Sequence, residues 1–370
     1  MHDGCHAGRP PGLSCVGTVG DVIRGSALRG YLLEETLAWL LRSTAYDLLV
    51  SANQDPAELV AEGNELRVRG RGTTHQVDVL GEFAFTPAFS LPMRLFLEAK
   101  YYATPCRLQV VRNALGVIDD VNQNYMTDSV NSRPRRRFQY CYALFSTSGF
   151  SDDAQDFALA HQISLIDLSG ESFEWLRTAV SCAASKLREA AMRYSVNNFP
   201  VAWTRTRLRL LLGTAPADLL PEVSTNAHAF QSSAETILET FAEALQAHAD
   251  VELLLGFPAA PFIVPLATRD KHSFMQYASA HLSHRVRLDR SGQADRAEWT
   301  VIGYEDPDAY QLALTLPRQL EDWISENEEK QRRRTWTVKN DFLSAIMVYY
   351  ADGGVRACQL TCEPNQFRRC

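Results

Sequence analysis

The stretch FLEAKYY, residues 96–102, decides how this chain is read. Side chains alternate along a strand, so an extended reading places Glu98 and Lys100 on one face at the end of an apolar run. An ion pair on an edge strand would account for them, at little gain in stability. Upstream, residues 75–81 (HQVDVLG) read as a strand ending at a glycine, and they carry Asp78. If the two strands pair as neighbours, Asp78, Glu98 and Lys100 converge at one sheet edge. Two carboxylates at one place repel each other unless a cation lies between them. Oxygen ligands of this kind suit Mg²⁺, with Mn²⁺ as a substitute, completed by water and substrate phosphate. Ala99 adds no bulk there, and its carbonyl can point at the ion. A lysine beside the ion can hold or deprotonate a water, or stabilise charge on a phosphate. This is the chemistry of metal-assisted phosphodiester hydrolysis.

Working outward, residues 28–50 (LRGYLLEETLAWLLRSTAYDLLV) read as an amphipathic helix with Leu33, Leu37, Leu40 and Leu41 at helical spacing. Glu34 and Glu35 lie in its first half. Residues 81–93 read as a loop, 94–102 as a strand, 110–126 as a helix, 139–147 as a buried strand, 152–162 as a short helix and 163–170 as a last strand. The order α–β–β–α–β–α–β makes an α/β layer architecture. Past about residue 172 the texture changes. Residues 172–196 and 232–256 read as long helices, and 316–334 as one charged helix. Segments 262–268, 299–304, 310–316, 342–350 and 356–362 read as strands. The expected division is a Gly/Pro-rich flexible leader over 1–24, an α/β unit over 25–172, and a second mixed α/β domain over 173–370.

The array D-x19-E-A-K resembles the PD-(D/E)xK nuclease superfamily, and within it the Mrr-type restriction endonucleases. Three flanking stretches add to the resemblance. Residues 32–48 (LLEETLAWLLRSTAYDL) look like the family's first helix, with Ala45 where glycine is usual. LEAKYY looks like its Glu-x-Lys strand. Residues 143–170 (ALFSTSGFSDDAQDFALAHQISLIDLSG) look like its distal half. Residues 76–78, Gln-Val-Asp, lack the Pro-Asp of the superfamily's name. The resemblance covers roughly 28–172. It implies a restriction-endonuclease-like core, a mixed central sheet flanked by helices. It also implies a Mg²⁺-dependent endodeoxyribonuclease of a restriction or antiphage system, working on DNA. Asp78 and Glu98 match the metal ligands, joined by the Ala99 carbonyl. Lys100 matches the catalytic lysine, and Glu34 the first-helix acid, with Glu35 as its competitor. Cleavage of both strands would call for a homodimer. The C-terminal domain would choose the target or bind a partner protein of the defence system.

Net charge is −7 and 46% of the 370 residues are hydrophobic, so phosphate binding has to come from local clusters rather than a global field. The run RPRRRF supplies Arg133, Arg135, Arg136 and Arg137 as candidate phosphate contacts, and Gln109 is another. KQRRR, 330–334, follows acidic residues and reads as helix charge patterning. His75 reads as structural. Eight scattered cysteines form no disulfide framework, so the expected compartment is the reducing cytoplasm, and Cys358, Cys362 and Cys370 lack a nearby histidine for zinc. No apolar run reaches transmembrane length. Two other functions remain open: a non-cleaving DNA-binding or assembly module on a nuclease-like fold, and a junction-resolving nuclease.

Overall fold

The computed structural model describes residues 23–362 apart from 43, 45, 64, 87–88, 125–135, 171–172, 216–227, 249–253, 259, 261–262, 269, 293–296 and 353–354. The leader over 1–22 therefore lies outside the described residues, as do Arg133, Arg135 and Cys370.

Helix α1 (Gly25–Arg42) is followed by β1 (Tyr46–Leu48), β2 (Leu59–Glu62), β3 (Glu65–Arg69), β4 (Thr74–Gln76), β5 (Val79–Phe83) and β6 (Met93–Lys100). Then come α2 (Leu108–Asn122), β7 (Gln139–Ser146), α3 (Asp152–Ala160) and β8 (Ser164–Asp167). Five strands form a mixed sheet in the order β1-β5-β6-β7-β8. The β1–β5 and β5–β6 pairs are antiparallel, and β6–β7 and β7–β8 are parallel. Strand parity sorts the faces. Leu95, Leu97 and Ala99 pack in one core with Leu33, Leu37 and Leu41 of α1. Phe96 and Leu80 pack in the opposite core with Val111 and Ala114 of α2 and Ala154 of α3. Both faces are thus buried, as a sheet with parallel strands requires. Gly81 marks a close approach: a Cβ there would lie 2.9 Å from Leu41 Cδ2 and 3.0 Å from Tyr46 Cβ.

The strand expected over 75–81 is two strands. β4 pairs with β3 in a separate three-stranded sheet, β2-β3-β4, while β5 joins the five-stranded sheet. The chain changes sheets across Val77 and Asp78. Val77 N–H still bonds to the Leu66 carbonyl at 3.1 Å, and pairing with β6 begins at Val79. Helix α1 stops at Arg42, and Tyr46–Leu48, expected within the helix exit, is strand β1.

Helices α4 (Glu174–Arg193), α5 (Val201–Leu212) and α6 (His228–Ala247) come next. They do not stand apart from the sheet. Leu176, Val180, Leu187, Leu208 and Leu238 share one core with α1 and with Leu95 and Leu97 of β6. The helix expected over 232–256 ends at Ala247, and Leu254–Pro258 is strand β9. It is followed by β10 (Val264–Thr268), α7 (Lys271–Ala280), β11 (Ser283–Ser291), β12 (Glu298–Gly303), β13 (Gln311–Leu314), α8 (Arg318–Ser325), α9 (Glu328–Asp341), β14 (Ala345–Ala351) and β15 (Val355–Cys362). Two helices thus replace the single one expected over 316–334. Asn327 breaks the run by capping α9, its side chain accepting from Lys330 N–H at 3.1 Å.

The seven strands β9 to β15 close into a barrel in the order β10-β13-β12-β11-β15-β14-β9. β11 alternates exposed and buried positions, sending His284, Val286 and Leu288 inward to Trp299, Tyr350 and Phe274. Closure leaves no bare strand edge in this unit. Phe83 of β5 meets Tyr349 of β14 edge-on at 4.8 Å, so the barrel touches the five-stranded sheet. The chain is mixed α/β throughout. Among the described residues, no helix is long and apolar enough to cross a membrane.

Candidate active site

The end of β6 and the sheet change before β5 bring Asp78, Glu98 and Lys100 to the same sheet edge. Asp78 Oδ2 accepts the Ala99 N–H at 2.9 Å. A strand residue points its N–H and C=O toward the same neighbour, so the Ala99 carbonyl faces the space beside Asp78 as well. Glu98 and Lys100 share a face, as parity requires, and their side chains form an ion pair. Tyr142 of β7, stacked on Phe96 at 4.9 Å, donates its hydroxyl to Glu98 Oε2 at 2.5 Å. Both oxygens of Glu98 are therefore held. Behind this end, Thr147 N–H bonds to the Lys100 carbonyl at 3.1 Å, and Cys106 N–H to the Gly149 carbonyl at 2.9 Å. Gly149 has φ +74°, which admits the tight turn after β7.

On the other face of the sheet, α1 presents Glu34 and Glu35 from its middle. Glu34 is the tenth of 18 residues, too far from the N-terminus to be a carboxylate placed there by the macrodipole. Two arginines of α5 meet these acids. Glu35 receives Arg205 Nε at 2.6 Å and Arg209 Nε at 2.6 Å. Arg205 Nη2 also lies 2.7 Å from Glu34 Oε2, but out of line for a hydrogen bond. That oxygen is buried without a hydrogen-bond donor.

These neighbours set the protonation states. Burial pushes Glu34 from 4.5 up to about 8, opposed by Arg205 and reinforced by the charges of Asp78 and Glu35. Glu35 is buried more deeply, yet the two arginines hold it below its usual value. Burial raises Asp78, against the Ala99 N–H and Lys100, with Glu98 adding to the rise. For Lys100, burial favours the neutral amine, but the Glu98 and Asp78 charges outweigh it and hold the ammonium protonated. Lys100 is thus a cation at this edge and not a free base.

The acids do not form one closed cage. Among the described residues, no three His, Cys, Asp or Glu side chains gather closely enough to hold a metal ion by themselves. The sheet is the reason. Glu98 and Lys100 lie on the α2 face with Tyr142, the α1 acids lie on the opposite face, and Asp78 sits at the edge between them. A cleft of about 220 Å³ opens beside Asp78, lined by Glu35, Gln76, Arg205 and Arg209 over an apolar floor of Leu49, Leu66 and Leu80.

The other expected contacts fall elsewhere. Gln109 is exposed on α2 and donates to Asn113 at 2.8 Å. Arg136 pairs with Glu82 at 3.1 Å, beside the buried Arg94 at the start of β6. That is six residues from Lys100, roughly 20 Å along a strand. Arg137 is exposed next to it. His75 bonds to Asp120 at 2.8 Å. Cys358 and Cys362 are buried in β15. Tyr142, Arg205 and Arg209 had not been singled out. The spacing of the two arginines, i and i+4, was a usable signal, because it puts both on one helix face.

No family model matches the chain, and no curated protein matches it. Among solved structures, the chain is similar to one described as "Crystal Structure of Protein of Unknown Function AF1548". Identity is 14%, and the match covers 59% of this chain and 98% of that one. The TM-score is 0.28, a level that carries no argument about fold or function.

Proposed function

We propose that this chain is a metal-dependent deoxyribonuclease that hydrolyses DNA phosphodiester bonds, with its active site on a restriction-endonuclease-like core. One observation carries the reading: Asp78, held by the Ala99 N–H, stands at the same sheet edge as the Glu98–Lys100 pair. The resemblance in residues 28–172 adds to it. So does the electrostatic state of the edge, where Glu34 and Asp78 are both pushed toward the neutral acid and one Glu34 oxygen lacks a donor. Acids in that state favour an added cation.

The donor set fits Mg²⁺, or Mn²⁺ in its place: Asp78, Glu98, the Ala99 carbonyl, and water for the remaining positions. A divalent ion bound there supplies charge at the phosphoryl oxygens and acidifies a water. The residues of the chain do the rest. The Ala99 N–H and the Tyr142 hydroxyl fix the two carboxylates. The protonated Lys100 offsets charge on the phosphate. Glu35, steadied by Arg205 and Arg209, and Glu34 beside it support the edge from behind. A restriction or antiphage role in the cytoplasm, a homodimer, and a partner protein engaged through the C-terminal half belong to the same proposal.

A second reading has one observation in its favour. Both Glu98 oxygens are already engaged, by Lys100 and Tyr142, as in a non-cleaving module that keeps the fold for binding. The two part on incubation of the purified chain with plasmid, linear and single-stranded DNA in Mg²⁺, Mn²⁺ or EDTA. The nuclease reading expects cleavage in metal and none in EDTA. DNA that stays intact in every metal favours the binding module, and a four-way junction added to the series separates it from a junction-resolving nuclease.

A further inference from the structure

The turn between β3 and β4, Arg69-Gly70-Arg71-Gly72-Thr73-Thr74, is fixed in place more tightly than a surface hairpin needs to be. Asp120 of α2 lies under it. Its Oδ1 accepts the Gly72 N–H at 2.8 Å, and its Oδ2 accepts the Thr73 N–H at 3.4 Å. His75 Nε2 sits 2.8 Å from the same Oδ2. The Asp120 carbonyl takes the Arg71 N–H at 3.0 Å, and Asn124 donates to the Arg69 carbonyl at 3.0 Å. Gly70 is obligatory here, since a Cβ would fall 2.0 Å from Asp120 Oδ2. The carboxylate is taken up by main-chain donors and His75, which leaves the arginines free of it. Among the described residues, no carboxylate pairs with Arg69 or Arg71, and Arg71 meets only the neutral Gln123 at 3.2 Å. Arg67, two pairs further along the hairpin, is by contrast neutralised by Glu62 at 3.2 Å and Glu65 at 3.4 Å.

Arg69 and Arg71 border an open recess of about 380 Å³ whose other side chains are Thr73, Thr74 and Asn124. Guanidinium, hydroxyl and amide groups around an open hollow suit an anion with several acceptor oxygens. Position adds to chemistry. β4 leads straight into Asp78, four residues beyond Thr74, so the hairpin base lies within about 14 Å of that carboxylate. That distance is about four base pairs along a duplex axis. We propose that the hairpin over 69–74 is a wing that grips the phosphate backbone of DNA a few base pairs from the bond to be cut, with Arg69 and Arg71 as its phosphate contacts. The inference rests on the nuclease reading for the identity of the ligand, but not for its test.

The test is binding of the full chain to a labelled duplex in EDTA across a series of salt concentrations. Wild type, Arg69→Ala/Arg71→Ala and, as a control far from the hairpin, Arg287→Ala on the barrel, where Arg287 pairs with Asp289 at 2.8 Å, are compared, with thermal melts to establish that all three fold. The double variant is expected to bind about tenfold or more weakly at low salt. Its slope of log affinity against log salt should be shallower by about 1.8, at 0.9 per phosphate contact. The loss should be the same on duplexes of unrelated sequence, and Arg287→Ala should match wild type. An unchanged slope in the folded double variant overturns the proposal, whether or not the wild type cuts DNA. An equal loss of binding to polyglutamate also overturns it, since the patch then attracts any polyanion. A wild type with the arginine-dependent slope but no cleavage in any metal keeps the wing and sinks the nuclease reading.

Discussion

Glu34 holds a proton at neutral pH because burial outweighs Arg205. Its pKa lies at about 8 in the folded chain against 4.5 as the ordinary value. Between those values the unfolded chain releases a proton that the folded chain keeps, so rising pH favours unfolding. The loss is up to about 1.4 kcal/mol per pH unit in the metal-free protein, absent below the lower value and complete above the upper one. Glu34→Gln should flatten that part of the profile. Urea melts of both chains across the interval read it directly, and equal slopes would mean that Glu34 is ionised in the fold. Tyr142 carries a second expectation. Its hydroxyl fixes one oxygen of Glu98, so Tyr142→Phe should slow cleavage about tenfold, the worth of one hydrogen bond to a charge, with little change in melting temperature. At this scale the sequence disclosed the chemistry that is local in the chain. Glu98 and Lys100 share a face by strand parity, and the structure pairs them. Arg205 and Arg209 show in the sequence only as one face of a helix, by their i, i+4 spacing, and neither their partners nor the place of Tyr142 was legible, because each reaches the site from an element whose register no local pattern fixes.

Among elements, long segments with one period were readable: α1, β6, α2, β7 and α3 lie close to where hydrophobic periodicity places them. Residues 75–81 show where that method stops. Alternation continues smoothly through Val77 and Asp78, yet the chain leaves one sheet and enters another there, which only partner strands decide. The barrel was out of reach for the same reason. Its strands could be seen singly, but closure is set by pairings far apart in sequence, such as β11 with β15. β5 offers a test of packing at this scale. A side chain at Gly81 meets Leu41 and Tyr46 at once, and neither is the loose end of a surface chain. Gly81→Val should therefore destabilise the fold by about 1–3 kcal/mol, seen as a lower midpoint in denaturant. An unchanged midpoint would mean that α1 and β1 are not clamped to β5 as described.

For the whole molecule, the apolar face of α1 governs how the chain can be divided. Leu28, Leu33 and Leu37 share their core with Leu176, Val180 and Leu187 of α4, and with Leu208 and Leu238 beyond it. A chain ending at residue 172 would expose that face to water, so it should aggregate or bind a hydrophobic dye strongly. A chain ending near residue 250 keeps α4, α5 and α6, and should melt cooperatively. Well-folded protein from the shorter chain would contradict this packing. The same arrangement ties the candidate site to the C-terminal half, since Arg205 and Arg209 of α5 hold Glu35 of α1. The central claim is that the edge formed by Asp78, Glu98 and Lys100 hydrolyses DNA with a divalent ion. Its most direct measurement is the rate of plasmid nicking in Mg²⁺ by wild type and by Glu98→Ala, at matched thermal stability. The account predicts a loss of at least about 100-fold, from removal of one metal-binding carboxylate. Undiminished cleavage by Glu98→Ala would contradict it.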